Sequence, residues 1–105
     1  MSFFSGLPSA KEAEILSLLL SGREMYGLEM VKASNGALKR GTIYVVLDRL
    51  EKEGYVSSRQ EKIETVSGLP RRQYRITGLG QRALSALDAA RFVMQPATVF
   101  AGGVI

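Results

Sequence analysis

Nine Lys or Arg side chains lie between residues 39 and 75, against five Asp or Glu. Residues 1–38 hold three basic side chains against four acidic ones, and residues 76–105 hold two against one. The formal net charge of +4 is therefore contributed by the middle of the chain. Cations grouped in this way neutralise the phosphates of a polyanion, and duplex DNA is the commonest one with a groove. Arg71, Arg72 and Arg75 fall within five residues, with Arg59 and Lys62 upstream. Arg49 and Lys52 stand at helical spacing from Thr42 and Val45, flanked by Tyr44 and Asp48.

Other chemistries are poorly supplied. The chain has no Cys and no His, which removes disulfides, thiol nucleophiles, imidazole bases and the usual ligands of transition metals. It contains no glycine-rich phosphate loop of the required form, and its carboxylates are scattered. Neither a catalytic site, a metal nor a cofactor is expected. No run approaches the ~18 consecutive apolar residues of a membrane span. The start, Met1 to Leu7, lacks the basic region of a secretory signal, which points to the cytoplasm.

At 105 residues, with 46% apolar and 23% charged side chains, one soluble globular domain is expected. Ser9 and Glu12 form a capping box. They open a helix whose wide apolar face holds Ile15, Leu16, Leu18, Leu19 and Leu20. Gly22 stops it. A second helix is expected from about Met25 to Ser34, with Leu28, Met30 and Val31 inward and Tyr26 as a packing aromatic. Gly27 would allow another helix to come close. A third runs from Gly41-Thr42 to Gly54, burying Ile43, Val46, Leu47 and Leu50 at i, i+3, i+4 and i+7. Tyr55–Arg59 and Arg72–Thr77 read as strands, with Gly68-Leu69-Pro70 at the turn. A last helix starts at Thr77, ends near Met94 or Gln95, and stops at Pro96.

The order helix, helix, helix, strand, strand, helix is that of a winged helix-turn-helix: mainly α with a two-stranded β-hairpin. The third helix would enter a DNA major groove, with Thr42 and Tyr44 at its start and Arg49 on phosphate or a guanine edge. The same charges also suit a solvated amphipathic helix. The hairpin would act as a wing through Arg71 and Arg72, although cations also protect a strand edge. Lys32, near the end of the second helix, could touch phosphate or satisfy carbonyls there. The last helix, with Leu84, Leu87, Ala90 and Met94, either pairs with a second copy or folds back on the first helix.

Three blocks resemble the PadR family of bacterial transcriptional regulators, in particular its compact members with one C-terminal helix. They are Glu14 to Gly22 with Tyr26 to Lys32, Gly41 to Gly54, and Gly68 to Thr77 with Gly80. The chain departs from the family pattern at Leu28, Val45, Leu69 and Gln73. The resemblance implies a dimeric winged-helix repressor on a palindromic operator, answering to a small aromatic or drug-like effector. It assigns Thr42, Tyr44 and Arg49 to the recognition helix, Arg71 and Arg72 to the wing, and Lys32 to the same DNA surface. Residues 1–77 would form the DNA-binding domain, 78–95 the dimerisation helix and 96–105 an apolar tail. An effector site at the dimer interface would be lined by Phe92 and Met94. The rival expectation is a winged-helix protein-interaction module without DNA binding.

Overall fold

The computed structural model describes residues 7–61 and 71–93. Its elements run α1 (Ala10–Leu18), β1 (Met25–Tyr26), α2 (Gly27–Ala33), α3 (Ile43–Lys52), β2 (Val56–Gln60), β3 (Arg72–Ile76) and α4 (Gly78–Val93). This is a mainly helical winged helix-turn-helix. The expected turn at Gly68-Leu69-Pro70, and everything from Met94 onward, lie outside the described residues.

The sheet corrects one expectation. Met25 and Tyr26 do not begin the second helix. They are extended and pair antiparallel with β3, Met25 opposite Tyr74 and Tyr26 opposite Gln73. The sheet therefore has three strands in the order β1-β3-β2. Without β1, one edge of β3 would carry unpaired backbone groups. Pairing of β2 with β3 sets Val56 opposite Ile76 and Ser58 opposite Tyr74. Alternation then sends Val56, Tyr74 and Ile76 into the core and Gln73 and Arg75 outward.

Each helix has a local cause. The Ser9 hydroxyl accepts from the Glu12 amide at 3.2 Å, and the Glu12 carboxylate accepts from the Ser9 amide at 2.8 Å. This closes the capping box that starts α1. The helix ends at Leu18, so Leu20 lies beyond it and is 51% exposed rather than inward. In α2 the Glu29 carboxylate accepts from the Tyr26 amide at 2.8 Å. Starting at Gly27 turns Met30 fully inward and leaves Leu28 44% exposed, against expectation. Gly54, at φ +83°, lets the chain leave α3 directly into Tyr55.

One core holds these pieces together. Ile15, Leu16 and Leu19 meet Met30, Ile43, Leu47 and Leu50 over the inner face of the sheet. Truncating such a residue, Leu47→Ala for example, costs about 2–5 kcal/mol. Ala83 and Leu84 bring the first half of α4 into the same core. The Thr77 hydroxyl accepts from the Gly80 amide at 3.0 Å and donates to the Gly54 carbonyl at 2.7 Å. It thus caps α4 and ties that helix to the end of α3.

The two glycines of the first turn of α4 differ in purpose. A Cβ on Gly80 would collide with the Tyr55 carbonyl and press on Ile76. At Gly78 the nearest atom to such a Cβ is the flexible tip of Arg82, at 3.8 Å. Gly80→Ala should therefore lose about 1–3 kcal/mol in urea unfolding, while Gly78→Ala should be neutral or stabilising. Equal midpoints for the two variants would contradict the close approach of α4 to Tyr55 and Ile76.

Candidate nucleic-acid interface

Burial fixes which way α3 faces. With Ile43, Val46, Leu47 and Leu50 inward, the 100° step of a helix turns Val45, Asp48 and Lys52 to the opposite side. That outward stripe is exposed. Asp48 and Lys52 are paired at 3.1 Å, one turn apart. Tyr44 and Glu51 lie on the flank towards the sheet. The Tyr44 ring covers Gly27, where a Cβ would stand 2.7 Å from its Cε1. The expected close approach at Gly27 is therefore made by a side chain of α3. Glu51 accepts a hydrogen bond from the Ser58 hydroxyl at 2.7 Å, joining α3 to β2.

On the other flank, Arg49 turns towards α1. Its Nη1 is 3.9 Å from the Glu12 carboxylate. Glu12 is buried in the first turn of α1, and its Oε2 has no hydrogen-bond partner. Glu53, just after α3, also buries an oxygen without a hydrogen bond. Burial, and then the charge of Glu12, push the Glu53 carboxyl above its ordinary value, while Arg49 pulls it down. Arg49 thus balances two acids at the joint of α1 and α3.

The sheet divides its cations between two faces. On the outer face, Arg59 donates two hydrogen bonds to Glu24, at 2.7 and 2.9 Å. Arg75 lies 3.8 Å from the same carboxylate. The hydrogen bond from Arg59, with the charges of both arginines, lowers the Glu24 pKa despite partial desolvation. Gln73 links this pair to Glu61, which also accepts from the Tyr26 hydroxyl at 2.6 Å. The Arg71 guanidinium sits 4.9 Å above the Tyr26 ring. Arg72 points the other way. It donates to Ser58 at 3.0 Å and to Gln60 at 3.3 Å, on the side of the sheet that carries α3. The adjacent wing arginines therefore do not act from one face.

The predicted site residues are only partly gathered. Thr42, Tyr44 and Arg72 surround the start and sheet side of α3. Lys32 is exposed in the last turn of α2. Arg49 is committed to α1, and Arg71 to the outer face. Among the residues expected on a partner surface, Leu84 is buried in the chain's own core, Leu87 packs against that core, and Ala90 is half-buried. Met94 lies outside the described residues. Sequence reasoning passed over Lys39 and Arg40. Both are exposed, lie in the turn before α3 with Gly41 and Thr42 between, and form no ion pair among the described residues. Their signal was two adjacent cations in a short interhelical turn.

Arg49→Ala should lower stability by about 1–2 kcal/mol. That is below the loss for a fully buried pair, because Arg49 is half exposed. An unchanged urea midpoint would show that the two acids do not need it. For Glu53 the sign follows from its raised pKa. The unfolded chain releases this proton first as pH rises above about 4.5, so folded stability falls through the raised native value. The advantage of Glu53→Gln over the parent should therefore grow between pH 4 and pH 7. A constant difference would contradict the shift.

The profile of the PadR-like family of transcriptional regulators matches residues 15–86. No curated protein matches the chain in sequence. A PadR family transcription regulator from Clostridium difficile superposes with a TM-score of 0.71 at 26% identity, over 88% of this chain and 98% of its own. A transcriptional regulator from Clostridium thermocellum gives 0.66 at 29% identity, over 90% and 92%. Bacillus subtilis PadR, solved in complex with operator DNA, gives 0.65 at 25% identity, over 73% of this chain and 45% of its own. With the winged fold and an uncovered face on α3, these matches establish that the chain belongs to the PadR-like family of transcriptional regulators, a family of regulators and not of enzymes.

Proposed function

We propose that the chain is a sequence-specific DNA-binding repressor that acts as a homodimer on a palindromic operator. The observation that carries this reading is the outward stripe of α3. Val45, Asp48 and Lys52 face away from the core, with Lys39 and Arg40 before the helix and Arg72 on its sheet side. A major groove admits such a helix, and cations at its margins seat the two phosphate backbones. The Bacillus subtilis relative, solved with operator DNA, supports the choice of partner.

In this reading Lys39, Arg40 and Arg72 neutralise phosphates, Lys32 lies at the edge of the same surface, and Thr42 and Tyr44 stand at the helix start. Arg49 serves indirectly, by holding α3 against α1. Two copies would pair along α4 through Leu87, Ala90 and Met94, with Phe92 and Val93 exposed beside them. Leu84 contributes to the core beneath. Twofold pairing would set the two α3 helices about 34 Å apart, one turn of duplex. A small aromatic or drug-like effector bound between the α4 helices, against Phe92 and Met94, would change that spacing and release the operator.

Affinity measured against salt tests the proposal. Six phosphates engaged by a dimer give a log–log slope of about −5. Arg72→Ala should weaken binding to all sequences alike and remove about one unit of slope per protomer. Arg71→Ala should leave the slope unchanged, since that side chain faces the outer surface. A salt-insensitive complex would contradict the mechanism. If no complex forms at low salt with micromolar protein, the acidic Asp48 and Glu51 on α3 favour a protein-interaction module instead.

A further inference from the structure

Most side chains in the first two turns of α3 have an internal engagement. Ile43, Val46, Leu47 and Leu50 are core. Tyr44 lies on Gly27, Arg49 turns to Glu12, and Asp48 holds Lys52. Val45 has none of these. It is 60% exposed, the highest value for a large apolar side chain in residues 7–61. It sits at the third position of α3, in the middle of the outward stripe. Val45 is not one of the buried residues that make up the core. An exposed valine forms helix less well than alanine, and this one keeps most of its surface in water.

Two methyl groups at that position can recognise only an apolar feature. Base edges in the major groove present donors, acceptors and one apolar group, the C5 methyl of thymine. The first residues of a recognition helix are the ones that reach those edges. Lys39 and Arg40 before the helix and Arg72 beside it would fix the flanking phosphates, so Val45 need supply no charge of its own.

We propose that Val45 is a specificity-determining residue that reads the C5 methyl group of a thymine in the bound duplex. The inference rests on the DNA-binding reading above. It adds to it the residue, the chemical group recognised and the absence of any hydrogen bond in that recognition.

The test uses the full chain and a duplex obtained by repeated selection from a random pool. That duplex is resynthesised with deoxyuridine in place of thymidine, one position at a time. Uracil keeps every hydrogen-bonding group of thymine and lacks only the methyl. The parent protein should lose about fourfold in affinity at one position per half-site, the ratio for one buried methyl-sized group. Val45→Ala should bind the thymine and uracil duplexes equally, with a thermal melt no lower than the parent's, because the side chain is mostly exposed and alanine is the better helix former. A parent protein indifferent to uracil at every position overturns the inference, as does a Val45→Ala protein that keeps the full methyl dependence. Both of those outcomes leave DNA binding itself intact. Failure to select any duplex would remove the DNA-binding reading, and this inference with it.

Discussion

The burial of one stripe of α3 decides what the rest of the molecule can do. Ile43, Val46, Leu47 and Leu50 are the contact surface through which α1, α2 and the sheet hold this helix. Because they occupy a single side, the opposite side is left to water, and its direction is set by the core and not by surface charge. The Thr77 hydroxyl and the capping box at Ser9 secure the neighbours of α3, and so secure its angle. A helix held from behind along ten residues presents its front as a rigid edge.

Electrostatics then divides the labour among the cations. The chain has a net basic charge from residue 39 to 75, yet much of its positive charge is used internally. Glu24 holds Arg59 and lies near Arg75, Asp48 holds Lys52, and Glu12 lies beside Arg49. The Glu24 pairs tie β2 and β3 to the chain entering β1, the Glu12 pair joins α1 to α3, and the Asp48 pair lies within α3. Among the described residues of this stretch, the cations outside these pairs are Lys39 and Arg40 in the turn before α3, Arg72 on the α3 side of the sheet, and Arg71 on its outer side. A short cationic frame around an uncharged valine suits a surface that must first be seated on phosphates and then discriminate by shape.

Much of this was legible in the residues. The period of α3 named its buried face correctly, since Ile43, Val46, Leu47 and Leu50 differ sharply from their neighbours. Ser9, Thr77 and Gly54 marked element ends because caps are local chemistry, whereas α1 stopped four residues before Gly22. The PadR resemblance was carried by the same segments that build the core and the sheet. Other features were not local. A two-residue strand such as Met25–Tyr26 has no period to read, and it exists only because β3 offers an edge. Leu20 and Leu28 looked inward because hydrophobicity does not say where a helix starts or stops. Arg71 and Arg72 looked like one contact pair until the pleat put them on opposite faces. Glu12 gave no sign of burial, because its partner Arg49 lies on another helix.

The most direct measurement is amide NMR of the isotopically labelled chain titrated with its selected duplex. Shift changes should concentrate in Lys39 to Lys52 and at Arg72, with α1 and the outer face of the sheet, at Glu24 and Arg75, little altered. Changes confined to α1 or to the outer sheet face, with α3 silent, would contradict the placement of α3 as the edge that meets DNA.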